Sequence, residues 1–166
     1  MLIRKATSED LLSVNDIYNS AVAMGYTAHT SPITPAERLL WFNSHDRSSH
    51  PILVAEIDQQ ITGWLSLSAY RPGRQALKYT AEISYYIAEA HRNKGMGTML
   101  VQEGINAAYT CGFKNLLAII LENNTGSIRI IEKAGFKKWG FLPDVSDFNG
   151  MLCGHFYYGL KIFHLT

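Results

Sequence analysis

The chain has 166 residues, a length that suits one compact domain and is short for two. A hydrophobic share of 47% against 17% charged residues excludes a disordered chain. The net charge of +1, from 15 basic and 14 acidic residues without a long like-charge run, predicts neither a nucleic-acid face nor a membrane-attracted patch.

Met1-Leu2-Ile3-Arg4-Lys5 turns polar at Thr7-Ser8-Glu9-Asp10, which is no secretory signal, and no apolar run approaches a membrane span. With only Cys111 and Cys153 present, no disulfide framework is expected, and a reducing cytoplasm is predicted. Leu2-Ile3-Arg4 reads as an opening strand. Thr7 and Asp10 have the spacing of a capping box before a helix with Leu11, Val14, Ile17, Tyr18 and Ala21 on one face, stopped near Gly25. Thr34-Pro35-Ala36-Glu37 starts a second helix through Leu39, Leu40 and Phe42.

A β-hairpin is predicted from Ile52 through the Asp58-Gln59-Gln60 turn to Ser68. A loop with Tyr70-Arg71-Pro72-Gly73-Arg74 follows. Glu82-Ile83-Ser84-Tyr85-Tyr86-Ile87 has the β-branched and aromatic density of a central strand. A helix then runs from the glycine-rich segment at residues 92–97 to about Cys111, with Gly112 as its stop. Residues 116–121 read as a buried strand, 127–134 as a short helix ended by Gly135, and 138–142 and 155–162 as two more strands. The order β-α-α-β-β-β-α-β-α-β-β predicts an α/β (α+β) fold: one domain over residues 1–166, a mixed sheet and helices on both faces.

The segment Arg92-Asn93-Lys94-Gly95-Met96-Gly97-Thr98 stands between a strand and a helix. A helix N-terminus offers unpaired N–H groups and a positive dipole end, so it binds anions. The two glycines allow a pyrophosphate close to the backbone, and Arg92 and Lys94 add positive charge. No Walker A run is present, and Leu100 stands where a dinucleotide-binding turn needs a third small residue. The plainer alternative is a strand-to-helix turn that is glycine-rich by chance.

Arg92-x-x-Gly95-x-Gly97 resembles the Gln/Arg-x-x-Gly-x-Gly/Ala signature by which GNAT acetyltransferases hold the pyrophosphate of coenzyme A. Asn124-x-x-Ser127-Ile128 followed by Glu132-Lys133-Ala134-Gly135-Phe136 is similar to that superfamily's second motif. The resemblance spans nearly the whole chain. It implies a mostly antiparallel GNAT-type sheet, acetyl-coenzyme A as cosubstrate and no metal. The cofactor residues it implies are Tyr85, Tyr86, Ile87, Arg92, Asn93, Lys94, Gly95, Met96, Gly97, Thr98, Asn124 and Ser127.

Ile17-Tyr18-Asn19, Tyr70-Arg71 and Thr80-Ala81-Glu82 resemble the subgroup that acetylates phosphinothricin and methionine sulfoximine. This implies a small amine acceptor, a homodimer, Glu82 as general base, and acceptor contacts at Arg71, Pro72, Gly73, Glu82, Ile83 and Ser84. Aromatic Phe156-Tyr157-Tyr158 adds to the expectation of a dimer. Two departures stand out: Ile131 replaces the tyrosine that many members use as acid for the thiolate, and Gly154-His155 stands where the subgroup often has an aspartate.

Amine acetylation needs a proton acceptor, and Glu82 opens the strand that leads to the phosphate loop. Its plainer role is an edge-strand charge paired with Arg71, Arg74 or Lys78. A backbone N–H near Ile87 is the expected oxyanion donor. The guanidinium of Arg71 suits two-pronged binding of a carboxylate or phosphinate; Arg74 and Lys78 serve equally well as plain surface charges. Tyr70, Tyr85 and Tyr86 are candidate cleft residues, and Trp41, Trp64 and Trp139 are expected in core or interface packing.

The six histidines and two cysteines show no zinc spacing, and His91 is expected at the loop surface. A ping-pong route through Cys111 or Cys153 is set aside in favour of direct transfer. Competing functions are acetylation of a peptide N-terminus, a polyamine or an aminoglycoside, and non-catalytic acyl-coenzyme A binding.

Overall fold

The computed structural model describes residues 1–162. Strands β1 (Leu2–Lys5), β2 (Ile52–Ile57), β3 (Gln60–Ala69), β4 (Thr80–Ile87), β5 (Asn115–Leu121), β6 (Lys137–Phe148) and β7 (Met151–Lys161) form one sheet in the order β1-β2-β3-β4-β5-β7-β6. Every neighbouring pair is antiparallel except β4–β5. Helices α1 (Leu11–Ala23), α2 (Pro35–Ser44), α3 (Met96–Thr110) and α4 (Thr125–Lys133) complete the fold. The predicted element order is the one observed.

Local chemistry explains most of the boundaries. The Asp10 carboxylate accepts the Thr7 N–H at 2.8 Å, and the same carboxylate is gripped by both terminal nitrogens of Arg4. Arg4 Nε also donates to Glu56 on β2 at 2.9 Å, so this capping box ties the first helix to the sheet edge. Thr34 and Glu37 cap α2 reciprocally, with Glu37 accepting the Thr34 N–H at 2.7 Å. Gly112, with φ of 80°, takes the left-handed conformation that ends α3 cheaply.

Strand alternation divides the core in two. Leu65, Leu67, Ile83, Leu116 and Ala118 face α3 and α4, meeting Leu100, Val101 and Ile131. The opposite face presents Val54 and Trp64 to Val14, Ile17 and Tyr18 of α1. Leu65 and Leu100 are fully enclosed, and burying such a side chain stabilises by about 1.5–3 kcal/mol. At Gly104 a Cβ would sit 2.6 Å from Leu65, so glycine lets α3 lie close on the sheet.

Several details differ from the sequence-based expectations. In α2, Leu40 is exposed while Arg38 and Phe42 are buried. The last two strands are longer than predicted, because Asn149-Gly150 forms a tight turn with φ of 55° and 93° that joins β6 to β7. His91 is half-buried rather than at the surface. Trp139 is half-exposed, and a Cβ at Gly159 would lie only 2.1 Å from its indole.

Candidate active site

The parting of β4 from β5 makes the site. Their parallel pairing covers only Thr80↔Asn115, Ala81↔Leu116 and Glu82↔Leu117. Beyond Glu82 the strands separate around a cavity of about 840 Å³ lined by residues 83–87 on one side and 118–121 on the other. Backbone N–H groups of β4 that point away from β3 then have no strand partner and are directed at whatever fills the gap.

At the mouth, Gly95 has φ of 81° and caps α3. Nothing lies within 4 Å of a Cβ added there, so glycine is required by conformation rather than by crowding. Gly97 is crowded instead: a Cβ would meet Ile130 at 2.8 Å and Tyr85 at 3.8 Å. Arg92, Asn93, Gly95, Gly97 and Thr98 line the cavity. Lys94 and Met96 do not. The Lys94 ammonium donates to the Ala90 carbonyl at 2.9 Å, and the Met96 side chain is buried against Thr62. Arg92 turns inward, its Nε donating to the Ile87 carbonyl at 3.1 Å.

The predicted residues Glu82, Ile83, Ser84, Tyr85, Tyr86, Ile87, Asn124 and Ser127 all line the same cavity. Asn124 caps α4 by accepting the Ser127 N–H at 3.1 Å. The Tyr85 and Ser127 hydroxyls meet at 2.6 Å, linking β4 to α4; burial pushes the Tyr85 phenol up to about 12. Arg71, Pro72 and Gly73 are exposed and lie outside this cavity.

Glu82 is half-buried, and burial raises its carboxyl above the ordinary range. No ion pair or hydrogen bond from the described residues compensates the carboxylate, so Arg71, Arg74 and Lys78 do not form the edge-strand pair considered from sequence. Tyr86, on the same face of β4, has its phenol raised by burial, with Tyr18 and Glu82 nearby adding to the shift. The Tyr18 hydroxyl bonds in turn to His29 Nδ1.

Ile131 is wholly buried in the core and contributes nothing to the cavity wall. His155 does line it; the imidazole bonds to the Ser146 hydroxyl at 2.7 Å, and burial lowers its pKa. Cys111 is a poor nucleophile candidate because burial raises its thiol, and Cys153 is buried. Among the described residues no cluster of histidine, cysteine and carboxylate side chains could hold a metal ion.

Sequence reasoning missed Tyr26, Thr27, His29, Arg129 and His155 as cavity residues. Tyr18 was marked only by the Ile17-Tyr18-Asn19 likeness. The loop after α1 reaches the cavity because Asn19 clamps Ile33, giving and taking backbone hydrogen bonds at 2.9 and 2.8 Å.

A family model described as "Acetyltransferase (GNAT) domain" matches residues 1–137. The chain belongs to this GNAT acetyltransferase family. YwnH of Bacillus subtilis is 40% identical over 152 residues, covering 90% of this chain and 92% of that protein. The L-methionine sulfoximine/L-methionine sulfone acetyltransferase of Salmonella typhimurium is 32% identical, covering 87% of this chain and 85% of that protein. A GNAT phosphinothricin acetyltransferase from Sinorhizobium meliloti, solved in complex with acetyl-coenzyme A, superposes with a TM-score of 0.91 at 26% identity, covering 97% of this chain and 88% of that one.

Proposed function

We propose that this acetyltransferase moves the acetyl group of acetyl-coenzyme A directly to the amine of a small amino-acid-like acceptor of the phosphinothricin, methionine sulfoximine or methionine sulfone type. The observation that carries the chemistry is the uncompensated carboxylate of Glu82 at the point where β4 and β5 part. The acceptor class is supported by the named relatives.

The backbone N–H groups at Gly95, Met96, Gly97 and Thr98 suit the pyrophosphate, and the gap between β4 and β5 suits the pantetheine arm. Asn124 and Ser127 flank that arm at the start of α4. Glu82 takes a proton from the acceptor ammonium, directly or through a water, and its raised pKa suits a base working near neutral pH. The nitrogen lone pair attacks the thioester carbon, an N–H of the parted β4 segment near Ile87 stabilises the oxyanion, and the C–S bond breaks with its electron pair passing to sulfur. The thiolate then takes up the proton that the acylated nitrogen sheds as the neutral amide forms.

The active species is a homodimer in this proposal. Tyr158 cannot serve the interface, because it is buried and donates to Glu132 at 2.8 Å. Support comes instead from exposed Leu142, Val145, Met151 and Leu152 on the β6–β7 hairpin. Free Cys111 and Cys153 suit the reducing cytoplasm. No nucleic-acid or membrane partner is required.

Thiol release from acetyl-coenzyme A, measured against phosphinothricin, methionine sulfoximine, methionine sulfone, a dipeptide, spermidine and an aminoglycoside, tests the acceptor. Preference for the first three is expected. A better rate with the dipeptide or either polyamine overturns the acceptor class. Light scattering giving a mass near 18.6 kDa at micromolar concentration overturns the dimer.

A further inference from the structure

The face of the sheet that carries Glu82 continues across β5 to β7. Paired residues in adjacent strands share a face, and so do residues two apart along one strand. Glu82 pairs with Leu117; two residues further along β5, Ile119 pairs with Tyr157. Tyr157 thus stands on the Glu82 face, across β5 from it. Its β6 partner is Gly140, which has no side chain to cover the ring.

Its neighbour Tyr158 points into the core, whereas Tyr157 is only half-buried. The Tyr70 N–H donates to the Thr80 carbonyl at 3.3 Å, which sets Tyr70 and Arg71 beside the end of β4 that carries Glu82, and the Tyr157 hydroxyl feels the charges of Tyr70, Glu82 and Arg71. Burial, followed by Tyr70 and Glu82, raises its pKa, so it remains protonated and able to donate at neutral pH. Arg71 and Tyr157 both lie outside the main cavity, whereas Glu82 lines it. Glu82 is consequently the corner shared by the cavity and the Tyr70, Arg71, Tyr157 cluster.

We infer that Tyr157 is an acceptor-binding residue, its hydroxyl and the Arg71 guanidinium forming a donor pair that holds the acceptor's anionic group while the amine faces Glu82. This rests on the amino-acid-like acceptor proposed above. A carboxylate or phosphinate has lone pairs enough for a guanidinium fork and one further O–H donor. The anionic group is charged before, during and after transfer, so the contact strengthens ground state and transition state alike. Its loss falls on the acceptor's KM rather than on kcat.

The test is Tyr157→Phe, which removes the hydroxyl and keeps the ring, with folding checked by thermal melting. Wild-type turnover is measured first with methionine sulfoximine and phosphinothricin, and with an analogue of the better one in which hydrogen replaces every anionic group. The variant should raise the KM of the better amino acid roughly tenfold, the scale of a lost hydrogen bond to a charged group. Its kcat should stay within about twofold, as expected for uniform binding. With that analogue, the variant and wild type should have nearly the same KM.

Wild-type enzyme that turns over neither amino acid overturns the acceptor reading and this role with it. Good wild-type turnover with an unchanged KM in the variant, or an equal KM rise with the analogue that has no anionic group, overturns the role of Tyr157 alone. A variant that no longer folds is replaced by Tyr157→Met measured in the same way. There, an unchanged KM for the amino acid overturns the donor pair, and a rise confined to the amino acid supports it.

Discussion

The guanidinium of Arg38 lies 4.7 Å from the centroid of the Tyr18 ring. It is almost completely buried, also stacks on Trp41 and Trp64, and donates from Nε to Asn15 at 3.3 Å. No carboxylate pairs with it among the described residues. Its Nη2 is buried without a hydrogen-bond partner among the described residues, so three aromatic faces and one hydrogen bond offset only part of a desolvation cost of several kcal/mol, and the charge itself adds no net stability. Arg38→Met should change unfolding free energy by no more than about 1.5 kcal/mol. Arg38→Ala should lose about 2–4 kcal/mol, because it empties the space between the rings. Urea unfolding measures both, and a large loss with methionine would assign real stabilisation to the charge.

Gly97 tests the cofactor end. A side chain there meets Ile130 as well as any phosphate approaching the backbone. Gly97→Val should cost about 1–3 kcal/mol of stability through overpacking. Acetyl-coenzyme A affinity should fall at least roughly tenfold, the effect of about 1.4 kcal/mol at the pyrophosphate. Calorimetric titration of the folded variant decides: affinity equal to wild type would remove this turn from cofactor binding.

Asp10 gives a pH signature. Its hydrogen bond from Arg4, then that from the Thr7 backbone, holds the carboxyl below its ordinary value. The folded state thus binds the proton less readily than the unfolded one. The resulting stability is present above the ordinary carboxyl range and is lost as pH falls through the folded value. Asp10→Asn should cost about 1–2 kcal/mol at pH 7, limited because Arg4 keeps contact with solvent. Denaturant melts should show the gap to wild type shrinking in acid; a gap independent of pH would make the contribution one of shape.

Features written in short-range spacing could be read without coordinates. Thr34 to Glu37 spans one helical turn, and Gly112 and Gly135 end helices by local backbone preference. The position of Glu82 relative to the cavity depends instead on where β4 stops pairing with β5, a register set between segments more than thirty residues apart. Arg38 was hidden for another reason: burial of a charge depends on Trp41, Trp64 and Tyr18 enclosing it, while the more hydrophobic Leu40 is left in solvent. Tyr157 could not be joined to Arg71 before the β5–β7 register placed it on the Glu82 face. The Asn149-Gly150 turn was within reach of sequence, since that dipeptide is a strong hairpin signal.

Glu82 makes opposite predictions for stability and for rate. Its carboxyl is raised by burial, so the folded protein holds the proton to higher pH than the unfolded chain does. Between the two values stability falls as pH rises, and at higher pH the cost of a buried carboxylate is carried in full. Glu82→Gln keeps the shape without the charge and should therefore melt at a higher temperature than wild type at neutral and alkaline pH. Turnover should fall roughly a hundredfold or more, the usual contribution of a general base. Affinity for acetyl-coenzyme A should hardly change, because the carboxylate serves the acceptor. The wild-type rate should rise with pH as Glu82 and the amine lose their protons, and the variant should need higher pH for the same rate. Arg71→Ala should instead raise the acceptor's KM more than it lowers kcat. Thermal melts and pH–rate profiles on the same preparations separate the cases. A variant that melts higher and turns over slowly fits a base held in an unfavourable setting. One that melts lower and retains near wild-type turnover would make Glu82 structural and move proton acceptance to water or a second amine.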